Sequence, residues 1–357
     1  MSEIQVAVIG FGLAGRVFHA PFVSAVPGLK LNAIVQRRSD EAAKAYPSTR
    51  ILRTVEEVLA DPAIQLIVVA TPNETHYTLA KQALLAGKHV VVDKPFTASS
   101  SEAKELAEIA SQQKLVLAPF HNRRWDGDFL TVRKILDSGE LGRLVTYESH
   151  FDRFRPLQRQ ATWKETGNDA NGMLFDLGPH IVDQALVLFG IPSAITASVR
   201  RDRDTTNIED AFDITLHYPR LLAHCRATWL AAEPAPRFLL HGTRGSFRKY
   251  GVDPQEPALV GGAMVPTMGD PRFWLCEDAS AWGTLAVAPD LADPSHLIRT
   301  PVRTEPGDYR GYYANVRDAI NGSAPPAVTP QDGYRVIRLL ELSRQSHREG
   351  RTLPVDF

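Results

Sequence analysis

The sequence has little cysteine and no compact cluster of metal ligands. Its 357 residues include two cysteines, Cys225 and Cys276, and neither belongs to a Cys-x-x-Cys pair. This scarcity argues against a disulfide framework and against a zinc ribbon. Without a grouped set of Cys, His, Asp and Glu, no metal site is expected either. A reducing, cytoplasmic environment is the natural expectation.

An excess of either charge and a long apolar run are also missing. The 40 Lys and Arg nearly balance the 41 Asp and Glu, which gives a formal net charge of -1. We therefore expect no nucleic-acid partner and no attachment to an anionic membrane. No apolar stretch is long enough to span a bilayer, and the first residues resemble a strand rather than a secretory leader. What remains is an ordinary globular protein, long enough for two domains.

A glycine-rich motif follows the first apolar run. Val6–Ile9 leads into a Gly-x-Gly-x-x-Gly motif, and helix-like residues follow. In dinucleotide sites the three glycines permit a tight turn, close approach of a pyrophosphate, and packing of the helix on the strand. The free N–H groups of the helix also favour phosphate. The motif predicts a dinucleotide site, with a merely well-packed turn as the alternative. Its residues are Gly10, Phe11, Gly12, Leu13, Ala14 and Gly15.

Strand-like and helix-like segments alternate through the first third of the chain. Leu66–Ala70 and Val90–Val92 are almost wholly apolar, which is typical of parallel strands buried on both faces. Capping boxes at Thr54–Glu57 and Ser99–Glu102 mark helix starts, and Pro21 should bend or end the first helix. The alternation predicts a doubly wound parallel sheet, a Rossmann domain, over residues 1–120. The predicted strands are Gln5–Ile9, Leu29–Val35, Ile51–Leu52, Leu66–Ala70, His89–Val92 and Leu115–Ala118.

The end of the second strand bears on the choice of cofactor. An acidic residue there would bind the adenosine ribose and favour NAD. Here Gln36 is followed by Arg37, Arg38 and Ser39, and the first acid is Asp40. Two guanidinium groups and a hydroxyl suit a 2′-phosphate. The sequence therefore favours NADP, with NAD still possible and solvated loop arginines as the alternative.

Polar residues follow two further predicted strands. In open parallel sheets, ligands bind beyond the carboxyl ends of the strands, so the segments after the fourth and fifth strands are expected at the cofactor cleft. A lysine at a buried strand end needs either an acidic partner or a ligand, and its position favours the ligand. The residues concerned are Thr71, Pro72, Asn73 and His76 after the fourth strand, and Asp93 and Lys94 after the fifth.

One helix-like segment carries a carboxylate and a histidine at helical spacing. Asp176 and His180 are four residues apart, so on a helix they share one face. A histidine beside a carboxylate can carry a proton near neutral pH. A hydrogen bond on a helix surface would explain the pair equally well.

Taken together, these motifs resemble the Gfo/Idh/MocA family of nicotinamide-dependent sugar and polyol oxidoreductases along essentially the whole chain. The resemblance rests on Gly10–Gly15, Thr71–His76, Asp93-Lys94-Pro95 and Gly172–His180, and Asp93 replaces the usual Glu of the family. It implies a cis Lys94–Pro95 bond. It also implies a catalytic set of Lys94, Asp176 and His180, in which His180 accepts the hydroxyl proton, Lys94 stabilises the substrate oxygen and Asp176 orients the substrate. His180 would approach from a second domain.

Three further segments resemble the NADP-dependent scyllo-inositol dehydrogenase-like subgroup of that family. They are 120–126, 149–156 and 250–256, and their Arg, Asp, His and Trp side chains could bind hydroxyls and stack on a ring. The arginines also leave an acidic or phosphorylated sugar open, and a plain loop role remains open for Arg155 and Arg159. The predicted substrate-binding residues are Arg123, Trp125, Asp152, Arg153, Arg155 and Trp163.

Residues 121–357 are expected to form a second, α+β domain. Consecutive strand-like segments with short turns predict a large, mostly antiparallel open sheet, with a helix at Met173–Phe189 and an irregular excursion at residues 251–308. The resemblance implies that the open face of this sheet joins copies of the chain into a homodimer or homotetramer.

Three functions remain at this stage. The leading one is an NAD(P)-dependent dehydrogenase or reductase of a cyclic polyol or sugar. The second is a hydrolase that uses tightly held NAD to oxidise, eliminate and re-reduce a glycoside, against which the Arg37-Arg38 pair counts mildly. The third is a regulator that senses nucleotide without catalysis, which would not need to retain the set Lys94, Asp176 and His180.

Overall fold

The computed structural model of the protein describes residues 3–158, 170–270 and 275–357. These residues form two compact units. The first unit contains the chain up to Asn122 and two later segments that begin at Gln255 and Asp308; the second begins at Arg123 and takes the remaining segments. Among the helices of the described residues, none combines the length and the hydropathy needed to cross a bilayer.

Strands and helices follow one another along both units. The strands are β1 (Ile4–Ile9), β2 (Leu29–Val35), β3 (Arg50–Leu52), β4 (Leu66–Val69), β5 (His89–Val92), β6 (Leu117–Pro119), β7 (Leu144–His150), β8 (Ala194–Arg200), β9 (Ala211–Tyr218), β10 (Leu221–Thr228), β11 (Phe238–Gly242), β12 (Gly245–Lys249), β13 (Gly283–Val287), β14 (Ile298–Val302) and β15 (Leu353–Pro354). The helices are α1 (Ala20–Ala25), α2 (Glu41–Ala45), α3 (Val55–Leu59), α4 (His76–Leu85), α5 (Ser100–Gln113), α6 (Gly127–Ser138), α7 (Met173–Phe189), α8 (Gln255–Val260), α9 (Arg310–Ile320) and α10 (Pro330–Glu349).

The first unit is built on a parallel sheet of six strands in the order β3-β2-β1-β4-β5-β6. All four residues of β4 are buried, as expected for a strand covered on both faces. The carboxyl ends of β1, β2 and β4 lie side by side, because Gly10 donates its N–H to the Val35 carbonyl and Ala70 donates its N–H to the Ile9 carbonyl. The predicted doubly wound sheet is confirmed, and one edge of it gathers the segments expected to bind a cofactor.

Local signals in the sequence account for how these elements begin and end. Both capping boxes are present, at Thr54–Glu57 and at Ser99–Glu102. Gly87 follows α4 with a φ of 72°, the left-handed conformation that glycine adopts readily after a helix. The first helix is interrupted as Pro21 predicts: a π-helical turn covers Gly15–His19, and α1 follows with Pro21 in its first turn.

Aromatic side chains from the end of the chain complete the core of the first unit. Tyr309 lies with its ring 5.8 Å from that of Phe22, and Tyr312 lies 4.8 Å from Phe120 in an edge-to-face arrangement. Both tyrosines are almost wholly buried. The observed first unit therefore differs from the expected domain of residues 1–120, because it also includes later segments of the chain. Phe22 and Phe120 pack against tyrosines that the first 120 residues do not supply.

The second unit contains a nine-stranded sheet in the order β14-β13-β12-β11-β7-β10-β9-β8-β15. Its neighbours pair antiparallel except β7 and β10, which are parallel. On β9 the buried residues Phe212, Ile214 and Leu216 alternate with half-buried polar residues, the period-two pattern of a sheet with one apolar face. The predicted large, mostly antiparallel sheet is confirmed. Helix α7 has the predicted bounds, and the excursion at residues 251–308 contains α8, β13 and β14.

Candidate functional site

The three glycines of the Gly10–Gly15 motif differ in how much space a side chain would have at each position. Gly10 has a φ of 99°, and a Cβ there would lie 2.3 Å from the Ala70 oxygen. A Cβ on Gly15 would lie 2.1 Å from the Gly10 oxygen, whereas one on Gly12 would meet no atom within 4 Å. Gly10 and Gly15 are thus required by packing, while Gly12 faces open space. That combination fits a backbone that a pyrophosphate approaches.

The π-helical turn directs His19 into the interior of the first unit. Ala20 donates its N–H to the Gly15 carbonyl across this wider turn, and His19 is wholly buried. Its Nδ1 lies 2.6 Å from the Tyr313 hydroxyl, and its Nε2 lies 3.6 Å from Oδ1 of Asp93. Burial raises the pKa of Tyr313 well above its usual value, so the hydroxyl stays protonated beside the imidazole. His19 thus lies between Tyr313 and Asp93 in the interior of the first unit.

Asp93 and Lys94 follow β5 at the same edge of the sheet. Oδ1 of Asp93 accepts the Lys94 backbone N–H at 2.8 Å. Burial alone would raise the pKa of Asp93, but the contact with the His19 imidazole and the positive charge of Lys94 outweigh it, so the pKa lies below its usual value. The Lys94–Pro95 bond is cis, as the family resemblance implies. A carboxylate is thus held ionised directly beside the backbone of Lys94.

The segment after β4 is held by hydroxyl and imidazole contacts. Thr71 and Thr75 have hydroxyls 2.6 Å apart, and Pro72 and Asn73 lie between them. His76 is wholly buried, with Nδ1 2.8 Å from the Pro95 oxygen and Nε2 2.9 Å from the Thr71 oxygen. Burial lowers the pKa of His76, and the nearby Asp93 charge opposes this only in part. His76 therefore joins the segments after β4 and β5 from the inside.

The turn after β2 presents its arginines to solvent. Arg37, Arg38, Ser39 and Asp40 are all exposed. Arg53, which follows β3, donates to the Gln36 and Ser39 carbonyls at 2.9 Å each and to Oδ1 of Asp40 at 2.5 Å. The turn predicted to meet the ribose is thus fastened by a residue that sequence reasoning missed, because its role depends on the pairing of β3 beside β2.

Helix α7 carries the predicted pair of the second unit. Asp176 is half-buried and His180 is 5% exposed, one turn further on. The His180 ring lies 6.5 Å from the ring of Phe151. Gly178, between them, sits where a Cβ would approach Leu340 to 2.9 Å, so the helix packs closely along this turn. The expectation that Asp176 and His180 lie on one helical face agrees with the bounds of α7.

The same face of α7 continues into a buried polar network. Asp183 accepts two hydrogen bonds from Arg124, at 2.8 and 2.6 Å. Gln184 donates to the Arg123 carbonyl at 2.9 Å and accepts from Arg237 at 2.8 Å. The spacing 176, 180, 183, 184 of polar residues in an otherwise apolar helix is the signal that could have identified Asp183 and Gln184. No comparable pattern marks Arg237.

The arginines of this network are paired with acids of the same unit. Arg123, 5% exposed, bonds Asp126 at 3.0 Å, and its guanidinium lies 4.9 Å from the Phe151 ring centroid. Arg237 lies 3.3 Å from Asp128 and 4.3 Å from the same ring centroid. Phe151 thus contacts two guanidinium groups as well as neighbouring His180. Arg123, predicted to bind substrate, is buried in the short turn before α6.

The other residues predicted to bind substrate fall in two segments. Trp125 ends the short turn before α6 and is half-buried. After β7, Asp152 lies 3.4 Å from Nδ1 of His150, while Arg153 and Arg155 are half-buried and donate backbone N–H groups to β10 and to Trp229. Trp163 lies outside the described residues. The assignments to substrate stay predictions.

The residues of the first unit fit a dinucleotide. The open space at Gly12, the turn at Gly10 and the adjacent carboxyl ends of β1, β2 and β4 form a backbone cradle with arginines at its β2 side. Within the described part of the chain, no group of three or more His, Cys, Asp and Glu could hold a metal ion.

Comparison with known proteins agrees with this geometry. Residues 4–121 match the oxidoreductase family with an NAD-binding Rossmann fold, and residues 129–248 match the GFO/IDH/MocA C-terminal domain. The chain is 40% identical to the uncharacterised oxidoreductase YdgJ of Escherichia coli, over 98% of each chain. It is 37% identical to the scyllo-inositol 2-dehydrogenase (NADP(+)) IolW of Bacillus subtilis, over 100% of this chain and 97% of that one.

A solved structure leads to the same group of proteins. The structure of the oxidoreductase yvaA of Bacillus subtilis superposes with a TM-score of 0.93 at 35% identity and covers 99% of both chains. Two family models that together match most of the chain, and relatives above 30% identity over their full length, agree with the resemblance drawn from the motifs. The protein is an NAD(P)-binding oxidoreductase and belongs to the GFO/IDH/MocA family.

Proposed function

We propose that the protein is an NADP-dependent dehydrogenase or reductase that acts on a ring CH–OH group of a cyclic polyol or sugar. The observation that carries this proposal is a set of three residues with suitable chemistry. Lys94 follows a buried strand at the cofactor edge of the parallel sheet, and Asp176 and His180 lie on one face of α7. The full-length similarity to a relative named as an NADP-dependent scyllo-inositol 2-dehydrogenase supports it.

Each member of the set has a distinct task in the proposed reaction. Bound NADP would supply a hydride acceptor or donor. His180 takes the proton of the substrate hydroxyl as general base, and returns it in the reductive direction. Lys94 donates a charge-assisted hydrogen bond to the same oxygen and stabilises the negative charge that develops on it. Asp176 accepts from a neighbouring hydroxyl and orients the ring.

The pairing of the arginines beside α7 favours a neutral substrate. Arg123, Arg124 and Arg237 are each paired with an acid, at 3.0, 2.6 and 3.3 Å respectively. A phosphorylated sugar would need unpaired guanidinium groups for bidentate binding. We therefore prefer an uncharged ring such as an inositol to the acidic or phosphorylated sugars that the sequence left open.

The proposal also includes the oligomeric state of the protein and its place in the cell. We propose a homodimer or homotetramer joined through the nine-stranded sheet, working on a small molecule in the cytoplasm. The hydrolase alternative predicts retained cofactor and product without net turnover of nicotinamide. A nucleotide-sensing regulator predicts binding without any turnover.

A panel of substrates with each cofactor tests these functions together. Purified protein is mixed with NADP or NAD and with scyllo-inositol, myo-inositol, glucose or a phosphorylated sugar, and reduction is followed by nicotinamide absorbance. We expect turnover with NADP and at least one neutral ring, and none with the phosphorylated sugar. Turnover restricted to a phosphorylated or acidic sugar would overturn the proposed substrate class.

A further inference from the structure

We propose that Arg53 is a specificity-determining residue for NADP. It holds the turn after β2, residues 36–40, in place and forms an ion pair with Asp40, the acidic residue of that turn. This inference rests on the proposed preference for NADP. Arg53 directly follows β3. It therefore lies outside the end of the second strand, which is the segment that contacts the ribose in dinucleotide-binding folds.

Three hydrogen bonds tie Arg53 to this turn. Nη1 donates to the Gln36 and Ser39 carbonyls, each at 2.9 Å, and Nη2 donates to Oδ1 of Asp40 at 2.5 Å. The two carbonyls bracket Arg37 and Arg38. A planar guanidinium can hold three acceptors at once, which a lysine ammonium on a flexible stem does less well. Arg53 therefore fixes the backbone from which both exposed arginines project.

Arg53 also changes what Asp40 can do. A carboxylate at the end of the second strand ordinarily binds the ribose hydroxyls and disfavours a 2′-phosphate through charge repulsion. Asp40 is the first acid after β2, but its Oδ1 accepts from Arg53, and its pKa is lowered by that hydrogen bond and by the guanidinium charge. A carboxylate paired with a guanidinium should attract the ribose hydroxyls of NAD and repel a 2′-phosphate less strongly than an unpaired one.

The neighbouring Arg50 provides a matched control. It lies three residues earlier on β3, is similarly exposed, and donates to Asp61 at 2.6 Å and to Asn32 at 3.2 Å. Its contacts do not involve the turn after β2. Removing either arginine deletes one exposed guanidinium and one ion pair, but only Arg53→Ala releases Asp40 and the two carbonyls.

The test measures dissociation constants of NADPH and NADH by nucleotide fluorescence with the full-length protein at one fixed salt concentration. The variants are Arg53→Ala, Arg53→Lys, Arg50→Ala, Asp40→Asn and the double variant Arg53→Ala/Asp40→Asn. We expect Arg53→Ala to lower the preference for NADPH roughly five- to tenfold, partly through tighter binding of NADH. Arg53→Lys should fall between wild type and Arg53→Ala.

The double variant separates the two contributions. If the released carboxylate matters, Asp40→Asn in the Arg53→Ala background should recover part of the NADPH preference, while Asp40→Asn alone should change it little. A preference in Arg53→Ala equal to that of Arg50→Ala would overturn this inference and leave the proposed function intact. Equal binding of NADPH and NADH by the wild type would overturn both the NADP proposal and this inference, while turnover in the substrate panel would still support the dehydrogenase.

Discussion

His180 and Lys94 make the proposed chemistry testable at single positions. His180 is almost fully buried on α7 and neighbours Phe151. Because a general base typically contributes about 10²–10⁴ in rate, we expect His180→Ala to lower kcat by that order while the cofactor still binds. Lys94→Ala should lower kcat similarly, because the developing alkoxide loses its charged partner. Steady-state rates on the substrate found in the panel, with NADPH binding as a check of folding, measure both effects.

A second substitution at His180 guards against a structural explanation. His180→Gln keeps a polar side chain in the same buried position but cannot act as a base. A His180→Ala protein that folds, binds NADPH and turns over at nearly the wild-type rate would exclude the proposed base. If both variants failed to fold, His180 would instead be a structural residue of α7.

How far single residues could be predicted depended on whether their partners are near in sequence. The glycine motif and the Asp176–His180 pair are defined within a few residues, so local spacing was enough to identify them. His19 and Arg53 were missed, because their contacts come from Tyr313 and from the turn after β2. Such roles arise only when distant strands and helices are brought together by the fold.

At the level of secondary structure, a hydrogen bond joins the start of β5 to the residue before β6. Its acceptor is a histidine nitrogen, so the histidine must be neutral. Nδ1 of His89 accepts the Val116 N–H at 2.9 Å, and burial lowers the pKa of His89 from its usual 6.5. The unfolded chain therefore binds the proton at higher pH than the folded one. Stability contributed by His89 should be lost as the pH falls through about 6.5 towards the lower folded value.

His89→Asn tests this pH dependence, because an asparagine oxygen can accept the same N–H without titrating. The free energy of unfolding, measured by denaturant at pH 7.5 and pH 5.0, should fall by about 1 kcal/mol more in the wild type than in the variant. His241→Asn serves as the control, since His241 is an exposed histidine on β11. Equal pH dependence in wild type and His89→Asn would contradict the role given to His89.

Most elements followed from local patterns in the sequence. Apolar runs predicted the strands of the parallel sheet, and the capping boxes marked two helix starts to the residue. Pro21 predicted an interruption of the first helix but not its form. The π-helical turn at Gly15–His19 depends on the burial of His19 against Tyr313 and Phe120, which local propensity does not contain.

At the scale of the whole molecule, we expect a homo-oligomer that is joined through the open face of the nine-stranded sheet. Its polar face carries ion pairs across three strands, with Asp213 bonded to Arg200 at 2.6 Å and to Arg226 at 3.1 Å, and Thr215 bonded to His224 at 3.0 Å. These side chains are only half-buried. We expect a second copy to cover them and light scattering at micromolar concentration to report a dimer or tetramer.

A substitution in the centre of that face tests the interface. Thr215→Arg should shift the protein towards a monomer, because a long cation would separate the two facing sheets. Ser48→Arg adds the same charge at an exposed position of the first unit and should leave the assembly unchanged. A wild type that scatters as a clean monomer would rule out the expected assembly.

The late arrival of α9 has a consequence for how this chain is made. The six strands of the first sheet leave the ribosome early, but Tyr309 and Tyr312, which cover Phe22 and Phe120, are translated only after β7 to β14 of the other sheet. At roughly 5–20 residues per second, that delay is on the order of ten seconds or longer. During vectorial synthesis the nascent nucleotide-binding half therefore waits with an unfinished apolar surface, the kind of surface that chaperones recognise.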